Sequence, residues 1–124
     1  MEREEEVAMA FDSWLSEIDS ESIPETIVAV NLGLFETPGG YTAYLTGSCR
    51  FDPDDDTWAC SDDFVPRAKD FPLTSTFPGV PWPDVLIAYR RLLESYLAKH
   101  PQSPLHRVAA ITVGFDDGDL ERVQ

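Results

Sequence analysis

The sequence predicts an α+β fold: a largely antiparallel sheet of about four to five strands, an N-terminal helix and one long amphipathic helix, in the order α-β-β-(β)-α-β-β. Three observations predict it. Residues 3–19 and 83–100 place apolar side chains at three- and four-residue spacing, the period of a helix with one buried face. Between and after them lie β-branched or alternating runs, the period of a strand. The strands and helices follow no regular βαβ repeat.

Each element has its own signal. In 3–19 the stripe is Val7, Phe11, Trp14, Leu15 and Ile18, with Glu2, Glu4, Glu5 and Glu6 placed to complement the helix dipole. Pro24 lies in a connector that cannot continue the helix. Thr26–Phe35 reads as a strand with Val28, Val30, Leu32 and Leu34 on one face, and Thr37-Pro-Gly-Gly40 as a turn. Tyr41–Arg50 follows as the partner strand of a hairpin, its Thr42, Tyr44, Thr46 and Ser48 face half solvent-exposed. Trp58–Cys60 is expected to return as a short strand beside it, with Phe64-Val65 continuing that strand or opening the next segment. Five prolines between 66 and 83 predict an extended, irregular crossing.

The helix at 83–100 carries Trp82, Val85, Leu86, Tyr89, Leu92, Leu93, Tyr96 and Leu97 on one stripe, with Pro83 in its first turn and Pro101 just past its end. Arg107–Phe115 reads as a buried strand and Leu120–Val123 as a short one, joined by an Asp116-Asp117-Gly118 turn.

The 124 residues suit one domain, residues 1–124, with a core that needs no metal or disulfide staple. Hydrophobic content of 43% and aromatic content of 11% exclude a disordered chain. Net charge is −14, and the excess lies entirely in residues 1–66, which hold 16 acids and two bases. Such a field repels nucleic acid and anionic membrane and attracts cationic partners. The N-terminus lacks the basic and apolar regions of a leader, and no apolar run approaches the length of a membrane span, so a cytoplasmic location with Cys49 and Cys60 as free thiols or small hydrophobes is expected.

The sharpest chemical feature is Phe51–Phe64, FDPDDDTWACSDDF: six aspartates, no Lys or Arg, and a Trp and a Cys among the charges. Aromatics surrounded by charge suit interface anchors, and acids around them steer a basic partner. The candidate partner-binding residues are therefore Asp52, Asp54, Asp55, Asp56, Trp58, Asp62 and Asp63. For each aromatic singly, a loop anchor tucked onto the core is the competing assignment.

Other chemistries fit less well. Asp52, Asp54, Asp56 and Asp63 match positions 1, 3, 5 and 12 of a calcium loop, but Thr57 stands where Gly is needed and Asp63 where a longer Glu is usual. His100 and His106 have an allowed zinc spacing, but the ten residues between Cys49 and Cys60 are not a zinc-knuckle spacing, and a Pro-containing loop separates the histidines. No nucleophile elbow, C-x-x-C, H-E-x-x-H or P-loop is present, and nothing calls for a cofactor.

Two blocks, D-D-D-x-W-A-C-x-D-D-F (Asp54–Phe64) and V-G-F-D-D-G-D-L (Val113–Leu120), in a small acidic α+β chain without catalytic motifs, make the sequence similar to the immunity proteins of bacterial toxin–immunity pairs. The resemblance covers composition and layout and assigns no residue a role. It implies tight, non-catalytic inhibition of a basic toxin domain, often a nuclease. The leading expectation is therefore an acidic binding protein whose carboxylates pair with a partner's Lys and Arg while Trp58 fills a central pocket. The alternatives are a small ligand-binding domain or enzyme with its site under the Pro-rich 66–83 segment, lined by Tyr41, Tyr44 and His106, and a structural homodimer paired along an exposed β-edge.

Overall fold

The computed structural model describes residues 2–124 and is α+β. Helix α1 (Glu2–Asp19) buries the predicted stripe of Val7, Phe11, Trp14, Leu15 and Ile18. Strands β1 (Ala29–Thr37) and β2 (Gly40–Ser48) form an antiparallel hairpin closed by Pro38-Gly39. Helix α2 (Trp82–Lys99) then leads to β3 (Ala110–Phe115) and the two-residue β4 (Glu121–Arg122).

The sheet order is β2-β1-β3-β4. Two of its three pairings are antiparallel, and β3 lies parallel to β1. The parallel pair follows from connectivity. The hairpin returns the chain to the end where β1 began, and the crossing with α2 then adds a second return, so β3 enters in the direction of β1.

Both helices lie on one face. Val30, Leu32, Leu34, Ala43, Leu45, Ile111 and Val113 share one core cluster with Phe11, Trp14, Tyr89 and Leu93. Side chains of this size contribute roughly 1.5–3 kcal/mol each on full burial, so this layer holds most of the stability. Trp82, expected on the buried stripe, is instead 57% exposed, because the helix begins at this residue and its ring rests edge-on against Phe115 at the rim.

The Pro-rich crossing is more ordered than its composition suggests. Residues 64–76 run along the outer edge of β2 as a broken antiparallel ladder, with bridges at Gly47–Phe64, Tyr44–Asp70 and Tyr41–Thr76. Pro66 and Pro72 have no N–H to donate, which interrupts the ladder without lifting it from the edge. Glu21 pins its start by accepting from the Arg67 and Ala68 N–H groups at 2.6 and 3.1 Å. The crossing therefore covers the β2 edge, and the two-residue β4 forms the other edge of the sheet. Among the described residues, no helix is long and apolar enough to cross a membrane.

Candidate functional site: an acid-flanked groove on the second face of the sheet

The face of the sheet turned away from the helices carries small and polar residues. Strand register sets them in rows: Ser48, Ala29 and Ala110; then Thr46, Asn31 and Thr112; then Tyr44, Gly33 and Gly114. The sequence predicts this face to be half exposed, yet Thr42, Thr46, Ser48, Asn31 and Thr112 are all buried. The acidic stretch folds back over one end of it.

That stretch does not form the expected short strand. Residues Asp56–Cys60 wind into a 3-10 turn capped by Asp55, whose carboxylate accepts from the Thr57 N–H at 3.0 Å. Asp52 turns the chain just before it by accepting from the Asp54 N–H at 2.9 Å. The Thr57 N–H holds the Asp55 carboxyl below its ordinary value. Asp63 accepts from the Cys49 N–H at 2.8 Å and from Ser48 Oγ at 3.4 Å, fastening the far end to β2.

Trp58 also takes a different place. It is 4% exposed and packs in a small second cluster with Ala29 and Ala110, its ring edge-on to Phe51 at 5.3 Å. The alanine row leaves the space an indole fills. Trp58 is thus the anchor of the acidic loop, and its burial withdraws it from the pocket-filling role toward a partner. Asp52, Asp54, Asp55, Asp56, Asp62 and Asp63 remain exposed around it. The four acids of the calcium count do not converge: among the described residues, no three His, Cys, Asp or Glu side chains are grouped to hold a metal ion. Cys49 and Cys60 are free and exposed, so neither serves as a small hydrophobe of the sheet.

Beyond Trp58 the second face stays open. A groove of about 370 Å³ runs between the 3-10 turn and the β3–β4 turn, with Asn31 and Gly114 at its floor and Tyr44, Asp56, Cys60 and Asp116 among its walls. A second groove of about 480 Å³ continues past Tyr44 to Asp62, Lys69 and Asp70. A third, also about 480 Å³, opens at the rim of the sheet beside the start of α2, between exposed Trp82, Glu36, Asp116 and Asp117. Asp116 lines all three.

Tyr44 is the post between the first two grooves. Its ring lies over Gly33, where an added Cβ would meet Tyr44 Cζ at 2.1 Å, so the ring holds this place only over a residue without a side chain. Its hydroxyl donates to Asp116 Oδ1, and Lys69 Nζ sits 5.5 Å from the ring centroid. Burial pushes the Tyr44 hydroxyl well above its ordinary pKa, and the bond to Asp116 pushes it further, so it stays a neutral donor. Asp56 joins the two walls by accepting from the Leu120 N–H at 3.2 Å.

The structure thus brings together the two acidic blocks, which are about sixty residues apart in sequence. It does not bring together Tyr41, Tyr44 and His106. Tyr41 is buried in the helix-side core and donates to the Val80 carbonyl at 2.8 Å. His106 donates from Nε2 to the Leu97 carbonyl at 2.8 Å, at the C-terminal end of α2. Neither it nor His100, which pairs with Asp12 at 2.9 Å, lines any of these three grooves. The exposed Cys60 thiol therefore has no imidazole beside it. What these grooves offer chemically is a set of carboxylate acceptors and one amide, with the Lys69 ammonium in the second groove and the Tyr44 hydroxyl already engaged by Asp116.

Sequence reasoning missed Asn31, Glu36, Asp70 and Asp116 as contributors to one surface. A signal was present for Asn31: it is the chain's only asparagine and interrupts an otherwise apolar strand. Comparison with protein-family models, curated proteins and solved structures gives no match, so the functional reading rests on this geometry.

Proposed function

We propose that this protein is a non-catalytic acidic binding protein, of the immunity or inhibitor kind, that occludes a basic protein partner such as a toxin domain. The observation that carries the reading is the convergence of Asp56, Asp62, Asp70 and Asp116 on two grooves that share Tyr44, with Asp116 and Asp117 also lining a third beside Trp82. An exposed ion pair contributes only about 0–1 kcal/mol, so single contacts do not supply tight binding. A clustered field of one sign does more, raising encounter rates about 10–1000-fold at low salt. The anchor role first assigned to Trp58 falls to Trp82, which is exposed beside Asp116 and Asp117 and suits a desolvated contact at the centre of an interface.

One observation supports a second reading. A groove of about 370 Å³ lies between Glu6 and Val7 of α1 and residues 72–78 of the crossing, where a small apolar ligand could settle.

The test is affinity capture from cells that express the protein, using wild type and an Asp56→Asn/Asp116→Asn variant as baits at low and moderate salt. Asparagine keeps the acceptors used by the Leu120 N–H and the Tyr44 hydroxyl, so the fold is retained. The reading expects one stoichiometric basic protein on wild type, weakened by salt and by the variant. A bait that stays clean at low salt refutes it and turns attention to a ligand screen against the α1 groove.

A further inference from the structure

One side chain in the first groove has a donor to spare. Asn31 is 5% exposed, and its Oδ1 accepts from Thr112 Oγ1 at 2.9 Å. Its amide nitrogen makes no hydrogen bond within the described residues, and Asn31 lines the groove. Among the described residues the one buried side-chain atom without a partner is Asp19 Oδ1, so the Asn31 amide nitrogen is reached by solvent from the groove, and an incoming acceptor would take the place of water there. The walls decide which acceptor. Asp56 and Asp116 flank the groove and no basic side chain lines it, so a phosphate or carboxylate would meet repulsion. A neutral carbonyl accompanied by a positive charge satisfies floor and walls together. Lys69, over the other side of the Tyr44 ring, shows that a cation settles against this post.

Building on the binding reading above, we propose that this groove takes a basic peptide segment, one Arg or Lys side chain lying between Asp56 and Asp116 while a main-chain carbonyl of the same segment accepts from the Asn31 amide. Recognition then requires carbonyl and cation at a fixed spacing, which distinguishes a peptide from a polyamine or an inorganic cation.

The experiment is an NMR titration of the full chain, ¹⁵N-labelled, with Nα-acetyl-arginine N-methylamide, and in parallel with n-butylguanidinium, which lacks the carbonyl. As the only asparagine, Asn31 gives a side-chain amide signal resolved from only two glutamines. The expected result is a saturable shift of that signal with the acetylarginine probe and binding about fivefold weaker for n-butylguanidinium, the effect of one hydrogen bond. Asn31→Leu should bring the two probes to equal affinity. The wild-type titration stands by itself if that variant fails to fold. An unmoved Asn31 signal at saturating probe, or equal wild-type affinity for both probes, overturns the proposal. Salt-sensitive capture of a basic protein with Asn31 unmoved would leave the binding reading intact and remove only this inference. A shifted Asn31 with no protein captured would do the reverse.

Discussion

On one face of the sheet Val30, Leu32, Leu34, Leu45, Ile111 and Val113 meet two amphipathic helices; on the other, Ala29, Asn31, Gly33, Ala110, Thr112 and Gly114 meet one tryptophan and a loop. The same strands supply both sets, because successive side chains point to opposite faces. Large side chains on the helix side pack into one continuous cluster, and small ones on the loop side leave grooves. The loop is held by carboxylates accepting from backbone N–H groups and by Trp58, rather than by a layer of apolar contacts. The comparison teaches a division of labour: one face supplies stability, and the other can therefore be spent on a charged, partly open surface.

That division predicts a graded response to mutation. Leu32→Ala should cost about 3 kcal/mol in urea unfolding, because a fully buried position in a packed layer loses both transfer energy and cavity contacts. An effect under about 1 kcal/mol would mean that the helix-side layer is not the stabilising one.

A pH effect comes next. Burial pushes Tyr89, on the helix side, from 10.0 up to about 12. The folded state thus favours the neutral phenol. Its contribution is complete below pH 10 and is lost as pH rises through 12, amounting to about 2–3 kcal/mol. Tyr89→Phe should flatten this alkaline loss in unfolding curves taken from pH 9 to 12. The Thr76 hydroxyl that Tyr89 touches keeps its own bond to the Tyr41 carbonyl, so the change is local.

Trp58→Ala should cost about 3 kcal/mol, the low end for a buried tryptophan, since its cluster is small. Its signature is hydrogen exchange: faster amide exchange across 56–63, with β1 and β3 still protected. Equal exchange acceleration in the sheet would show that the two faces are not separable. Asp54→Asn should change stability by less than about 0.5 kcal/mol, as its exposed side chain caps nothing. A larger loss would show that this acid is structural after all.

The helix side was legible in the sequence because it rests on periodicity. Val7 to Ile18 and Val85 to Leu97 declare their buried faces by spacing alone, and the hairpin by its Pro-Gly-Gly turn. The loop side was not. Trp58-Ala-Cys60 offers too few residues for a period, and what shapes it is side-chain acceptance by Asp52, Asp55 and Asp63, which depends on where the chain has already gone. The groove was the least legible part. It needs Asn31, Tyr44, Asp56 and Asp116 from four separate segments, and the parallel β1–β3 pairing that unites them is not encoded in any local run. The acidic block itself was identified, but as a partner-binding stretch with a short returning strand rather than as one wall of a groove.

The most direct test of the acidic binding surface is the association rate of the captured basic partner with wild type and with Asp56→Asn/Asp116→Asn, measured by stopped flow across salt concentrations. The predicted result is a wild-type rate that falls steeply with salt and a variant rate at least about tenfold lower at low salt with a flatter dependence. Identical rates and identical salt slopes would contradict the claim that this groove receives the partner.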